Sequence, residues 1–89
     1  MHHEDALQRL KYIEGHIRGI QRMLEDDKYC IDVIRQIQAV QAALNKVSNK
    51  ILEGHLNACV TTAIRGDDLA ERERVVNEIT SIFSTANEL

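Results

Sequence analysis

The sequence predicts an all-α protein, a chain of three helices. Three observations lead there. No proline interrupts the 89 residues, which favours long unbroken helices. With one Phe, two Tyr and no Trp, the core must come from Leu, Ile, Val and Ala, which suits helix-on-helix packing. Apolar residues recur at three- and four-residue steps along most of the chain. A chain this short makes one domain over residues 1–89 and buries little surface alone, so association should supply much of its stability.

The first helix is expected from about Asp5 to Glu25, with Leu7, Leu10, Ile13, Ile17, Ile20 and Leu24 as its apolar stripe. Gly15 and Gly19 lie four apart within it and read as sites of close helix packing. Asp26 and Asp27 break the pattern and supply an N-cap for a second helix from about Lys28 to Arg65. Its seam, Cys30, Val33, Ile37, Val40, Leu44, Val47 and Ile51, alternates steps of three and four as coiled-coil packing does. At about 1.5 Å per residue this helix is too long for a compact monomer, so a partner should cover it. Gly66 ends it as the residue after the last turn, and Asp67 or Asp68 caps a third helix. That helix carries Leu69, Val75, Val76, Ile79, Ile82 and Phe83 and should fray near Ala86.

Composition narrows the function classes. No apolar run approaches the roughly 18 residues of a membrane span, and none resembles a signal peptide, so the expected location is the cytoplasm. Two cysteines should stay reduced there and serve as ligands or redox groups before they serve as a disulfide. No paired-carboxylate motif, phosphate loop or nucleophile–base arrangement supports an enzyme. The net charge of −3 argues mildly against nucleic acid, but it is unevenly spread. Residues 1–50 carry eight Lys/Arg against seven Asp/Glu, and residues 51–89 three against seven, so the N-terminal part can present a basic face.

Cys30, His55 and Cys59 carry the chemistry. His55 and Cys59 are four apart, share one helix face and continue the seam that Cys30 begins. On a continuous helix the 25 residues from Cys30 to His55 span about 37 Å, so one chain cannot bring all three to one ion. Two antiparallel chains can. If Cys30 faces Asn57 of the other copy, the two-fold axis passes between Ala43 and Leu44, where Ala39, Ala42 and Ala43 allow close approach. Two thiolates and an imidazole form a soft set suited to Cu(I), which accepts three ligands, whereas Zn²⁺ wants a fourth. Taken singly, a cysteine on an apolar seam is as well explained by packing.

The stretch R-L-K-Y-I-E-G-H-I-R-G-I-Q-R-M-L-E-D-D-K-Y-C, then Q-I-Q-A-V-Q-A-A-L-N-K and G-H-L-N-A-C, resembles the copper-sensitive operon repressor family (CsoR/RcnR). The resemblance covers residues 7 to 65 closely and the third helix loosely. It implies a three-helix chain forming an antiparallel four-helix-bundle dimer that pairs into a homotetramer, represses genes of metal export or detoxification, and releases operator DNA when its effector binds. It further implies that Cys30 of one subunit and His55 and Cys59 of the other bind Cu(I). By the same resemblance, Tyr29 and Glu78 match residues that couple binding to release, and Arg9 and Lys46 match basic residues that hold DNA. Lys46 stands where some members have Arg, which keeps the charge and loses the bidentate fork.

Alternatives remain within and outside that family. A persulfide- or electrophile-sensing repressor would use the Cys30 and Cys59 pair, a nickel or cobalt sensor would add histidines, and a helical metal-binding scaffold would have no DNA role. His2 and His3 are either extra ligands or an unstructured end, and His16 packs or is solvated on the first helix.

Overall fold

The protein, examined as a computed structural model, is described over residues 3–88, with side chains through Ser84. His2 lies outside the described residues. Helices are the only regular elements among the described residues: α1 (Glu4–Glu25), α2 (Cys30–His55), a π-helical turn (Leu56–Val60), α3 (Thr61–Arg65) and α4 (Leu69–Glu88). The chain divides into two compact units, one up to Glu53 and one from Gly54.

In the first unit, α1 and α2 form an antiparallel hairpin. The Lys50 Nζ lies 4.0 Å from Asp5 Oδ2, and nearer the other end the His16 Nε2 lies 2.8 Å from Gln36 Oε1. Ala6, Ile13 and Ile20 of α1 form one buried cluster with Val33, Val40 and Val47 of α2, and Met23 and Ala43 pack on it. Each row steps by seven, the repeat that keeps a helix face turned toward a single neighbour.

The expected seam therefore resolves into two rows. Val33, Val40 and Val47 are 4–6% exposed against α1, whereas Ile37 and Leu44 are 40% and Ile51 38% exposed. On α1, Leu7, Leu10, Ile17 and Leu24 likewise stay exposed although the stripe includes them. Close packing at the glycines is not found within the chain. A Cβ on Gly15 would meet nothing within 4 Å, and one on Gly19 only the Arg22 guanidinium at 3.9 Å.

The first turn also differs from expectation. Asp26 and Asp27 close α1 rather than cap α2. The Lys28 N–H donates to Met23 O (2.9 Å) and the Asp27 N–H to Leu24 O (3.2 Å), the paired bonds of a Schellman ending. Asp27 takes the left-handed position at φ 52°, which glycine usually fills. The α2 ladder starts instead from Tyr29, whose carbonyl accepts the Val33 N–H at 3.2 Å.

The second unit begins where α2 widens into the π turn. The Thr61 N–H bonds back to Leu56 O, five residues earlier. The Thr61 hydroxyl donates to that same carbonyl (2.7 Å) and the Thr62 hydroxyl to Ala58 O (2.7 Å), so two side chains help satisfy the carbonyls of the turn. Gly66 then ends α3 in extended backbone, φ −73° and ψ 174°, rather than in the left-handed conformation. Asp68 caps α4 as expected, its Oδ1 accepting the Glu71 N–H at 3.2 Å. Arg72 ties the corner by donating to the Gly66 carbonyl. Among the described side chains of this unit Val60 and Val75 are buried, while Leu69, Val76, Ile82 and Phe83 are exposed. Helical backbone continues past Ala86 to Glu88.

Candidate functional site

Cys30 is the first residue of α2, and its free thiol is exposed. Tyr29, just before it, is exposed. His55 is the last residue of α2, and Cys59 is the fourth of the π turn, its thiol also free and exposed. The widened turn refines the expected spacing. Four residues are slightly more than one α turn and slightly less than one π turn, so both side chains still leave from one side of the helix. Among the described residues no three His, Cys, Asp or Glu side chains of one chain gather into a metal-binding group.

His55 is partly buried, and its Nε2 lies 3.9 Å from Glu78 Oε2 on α4. Glu78 is therefore an acidic residue that stands beside the histidine. The other Glu78 oxygen, Oε1, accepts from Arg74 Nη1. Arg74 also grips Glu71 with two donors, Nε to Oε2 at 3.0 Å and Nη2 to Oε1. That fork holds the Glu71 carboxyl below its ordinary value and pushes the guanidinium pKa upward, with Glu78 adding to the latter. Sequence reading missed Arg74. Its partners at three and four residues' distance look like routine surface pairing.

The basic positions lie on the α1–α2 hairpin. Arg9 Nε donates to Asp5 Oδ2 at 3.0 Å, and Lys50 approaches the same oxygen. Arg9 and Lys50 thus meet at a single carboxylate, and Lys46 is exposed one helical turn before Lys50, toward the same end of the hairpin. Lys50 was also missed, although its four-residue step from Lys46 was visible. His3 is exposed and adjoins the start of α1. His16 is held by Gln36 rather than by a second ligand-type residue. No helix among the described residues is long and apolar enough to cross a membrane.

Comparison with known proteins adds the following. A family model described as metal-sensitive transcriptional repressor matches residues 2–85. Over 75 residues the chain is 47% identical to the copper-sensing transcriptional repressor CsoR of Bacillus subtilis (strain 168), covering 84% of this chain and 71% of that one. Over 61 residues it is 54% identical to the copper-sensing transcriptional repressor RicR of Mycobacterium tuberculosis (strain ATCC 25618 / H37Rv), covering 68% of this chain and 64% of RicR. Its fold is similar to the crystal structure of the copper-sensing repressor CsoR with Cu(I) from Geobacillus thermodenitrificans NG80-2. That likeness has a TM-score of 0.85 and 42% identity, over 96% of this chain and 85% of the other.

Proposed function

The chain belongs to the metal-sensitive transcriptional repressor family, and we propose that it is a copper(I)-responsive repressor that holds operator DNA when metal-free and releases it when Cu(I) binds. The observation that carries this reading is a soft donor set that is accessible but incomplete in one chain. Cys30 and Cys59 offer free exposed thiols, and His55 adds an imidazole beside a carboxylate. Two thiolates and one imidazole fit Cu(I), and its chemistry here is ligation alone, with no catalytic step.

A second copy completes the set. The exposed rows Leu10, Ile17 and Leu24 on α1 and Ile37, Leu44 and Ile51 on α2 step by seven, as the buried rows do. Antiparallel pairing of α2 about the small residues Ala39, Ala42 and Ala43 buries these rows and sets Cys30 of one subunit against His55 and Cys59 of the other, giving two sites per dimer. Dimers pair into tetramers, the chain of residues 1–89 acts as one sensing and DNA-binding domain, and the protein works in the cytoplasm, where its thiols stay reduced.

Arg9 and Lys46, joined by Lys50, hold DNA phosphates. When His55 ligates through one ring nitrogen, the other is free to engage Glu78, which draws α4 toward the site and disturbs the DNA-holding form. Tyr29, next to the first ligand, takes part in the same coupling.

Operator fragments selected from a random DNA library by the metal-free protein test this reading. Anaerobic Cu(I) should release them at one ion per subunit. Failure to select DNA, or DNA retained at saturating Cu(I), defeats it. Because both thiols are exposed, a polysulfide arm is run alongside. Release by polysulfide with no response to Cu(I) would assign the persulfide-sensing role instead.

A further inference from the structure

We propose that Arg74 is a positioning residue for His55: its guanidinium holds one oxygen of Glu78 and thereby presents the other to the histidine ring. The proposal rests on the reading of His55 as a metal-sensing residue and adds to it a group outside the ligand set.

The geometry divides the labour by atom. Glu78 Oε1 is taken by Arg74 Nη1, and Glu78 Oε2 stands 3.9 Å from His55 Nε2. A carboxylate fixed at one oxygen loses most of its freedom to turn, so the remaining oxygen is aimed. Arg74 is itself fixed, because its Nε and Nη2 fork onto both oxygens of Glu71. Glu71 in turn sits in the capped first turn of α4, its N–H donating to Asp68 Oδ1 at 3.2 Å. A chain of contacts therefore runs Asp68, Glu71, Arg74, Glu78, His55. The last gap is too long for a hydrogen bond and closes only when Glu78 or the ring moves.

Two consequences follow from this arrangement. Arg74 fixes which way the second nitrogen of His55 finds a partner, and partners of that kind set the tautomer and tilt of a ligating imidazole. Arg74 also tethers Glu78 to the first turn of α4, so that any shift of Glu78 toward His55 reaches Glu71 and its cap. Lysine would keep a charge but lose the fork that spans two carboxylates.

The test uses the full-length metal-free protein and nitrogen-15 NMR of the histidine rings in the wild type, Arg74→Ala and Arg74→Lys. In Arg74→Ala the His55 ring signals are expected to move while those of His16, hydrogen-bonded to Gln36 in the α1–α2 hairpin, stay in place. Arg74→Lys is expected to move them in the same direction by less. His55 signals unchanged in Arg74→Ala, or His16 moving as much as His55, would overturn the proposal. Should Arg74→Ala fail to fold, unchanged His55 signals in Arg74→Lys overturn it alone. A functional arm compares operator affinity with and without Cu(I). Arg74→Ala is expected to lose at least tenfold of the copper-driven change while binding the same number of Cu(I) ions, and full copper-driven release overturns the coupling role. A wild type that ignores Cu(I) would defeat the functional reading and leave the metal-free ring result standing, so the two failures are distinct.

Discussion

His55 Nε2 and Glu78 Oε2 face one another at 3.9 Å, joining the last residue of α2 to the middle of α4. The distance is beyond a formed hydrogen bond and within reach of a side-chain adjustment. A pair at that separation can be changed by whatever binds the other face of the ring. Glu78→Gln keeps the shape and removes the charge. It should leave one Cu(I) per subunit, lower copper affinity by about tenfold, since the amide oxygen still accepts but the negative charge beside the ligating ring is gone, and shrink copper-driven release of DNA. Linkage requires the effect of DNA on copper affinity to shrink by the same factor. His55→Ala should hold Cu(I) through its two thiolates and respond poorly. Full release by either variant would remove this pair from the coupling.

Removal of one sulfur tests the ligand set directly. X-ray absorption of the copper-loaded wild type should count two sulfurs and one nitrogen, and Cys59→Ala should lose one sulfur. Mixing Cys30→Ala with Cys59→Ala subunits adds a sharper check. In the shared-site arrangement a mixed dimer regains one intact site, because the lost residues fall together in the other. No recovery in mixed dimers would place the ligands otherwise.

The proposed ligands were legible because they lie on the helix repeat. Cys30 and His55 of α2 and Cys59 of the π turn follow its seven- and four-residue steps, and Asp68 stands three residues before Glu71, as a cap does. What stayed hidden depends on tertiary partners or on competition for backbone groups. The π turn arises where Thr61 and Thr62 hydroxyls bond to the carbonyls of Leu56 and Ala58, and threonine is common in ordinary helices too. Lys50 joins Arg9 only because the hairpin brings both to Asp5. The seam looked single because a three–four alternation does not say which half packs within the chain. The structure assigns Val33, Val40 and Val47 to α1 and leaves Ile37, Leu44 and Ile51 exposed.

That exposed row predicts the assembly. Leu44→Glu places a charge beside the proposed two-fold axis, where its symmetry copy is nearest and repulsion is doubled. Sedimentation at micromolar concentration should show the variant as monomer, with Cu(I) affinity falling as the site loses its second chain. An unchanged assembly would move the interface elsewhere on the protein.

Asp5 restrains the basic end of the hairpin by pairing with Arg9 at 3.0 Å and attracting Lys50. Phosphates have to compete with that carboxylate. Asp5→Asn should therefore tighten operator binding and steepen its salt dependence, whereas Arg9→Ala with Lys46→Ala should weaken binding and flatten the dependence by about two counterions. Copper affinity should hardly change in either. Equal DNA affinity across all of these at low salt would show that DNA binds another face.

Asp27 supplies the last prediction, because it fills a left-handed position without being glycine. At φ 52° its Cβ crowds the following carbonyl, and Asp tolerates this better than most residues but less well than Gly. The Schellman bonds of Asp27 and Lys28 are made by backbone N–H groups and survive substitution. Asp27→Gly should thus stabilise the protein by about 0.5–1 kcal/mol, net of the entropy that glycine adds to the unfolded chain. Asp27→Ala should not gain, since it keeps the Cβ and loses the polar side chain that suits this conformation. Gly66 is the matched control. Its φ of −73° is open to any residue, and a Cβ there would rest 3.4 Å from Thr62 O and 3.5 Å from Ala63 O, ordinary contacts. Gly66→Ala should be near neutral. Urea unfolding of the three variants at one protein concentration decides the matter, because oligomerisation otherwise shifts the midpoint. Destabilisation by Asp27→Gly together with a large loss from Gly66→Ala would mean that the left-handed helix ending belongs at Gly66.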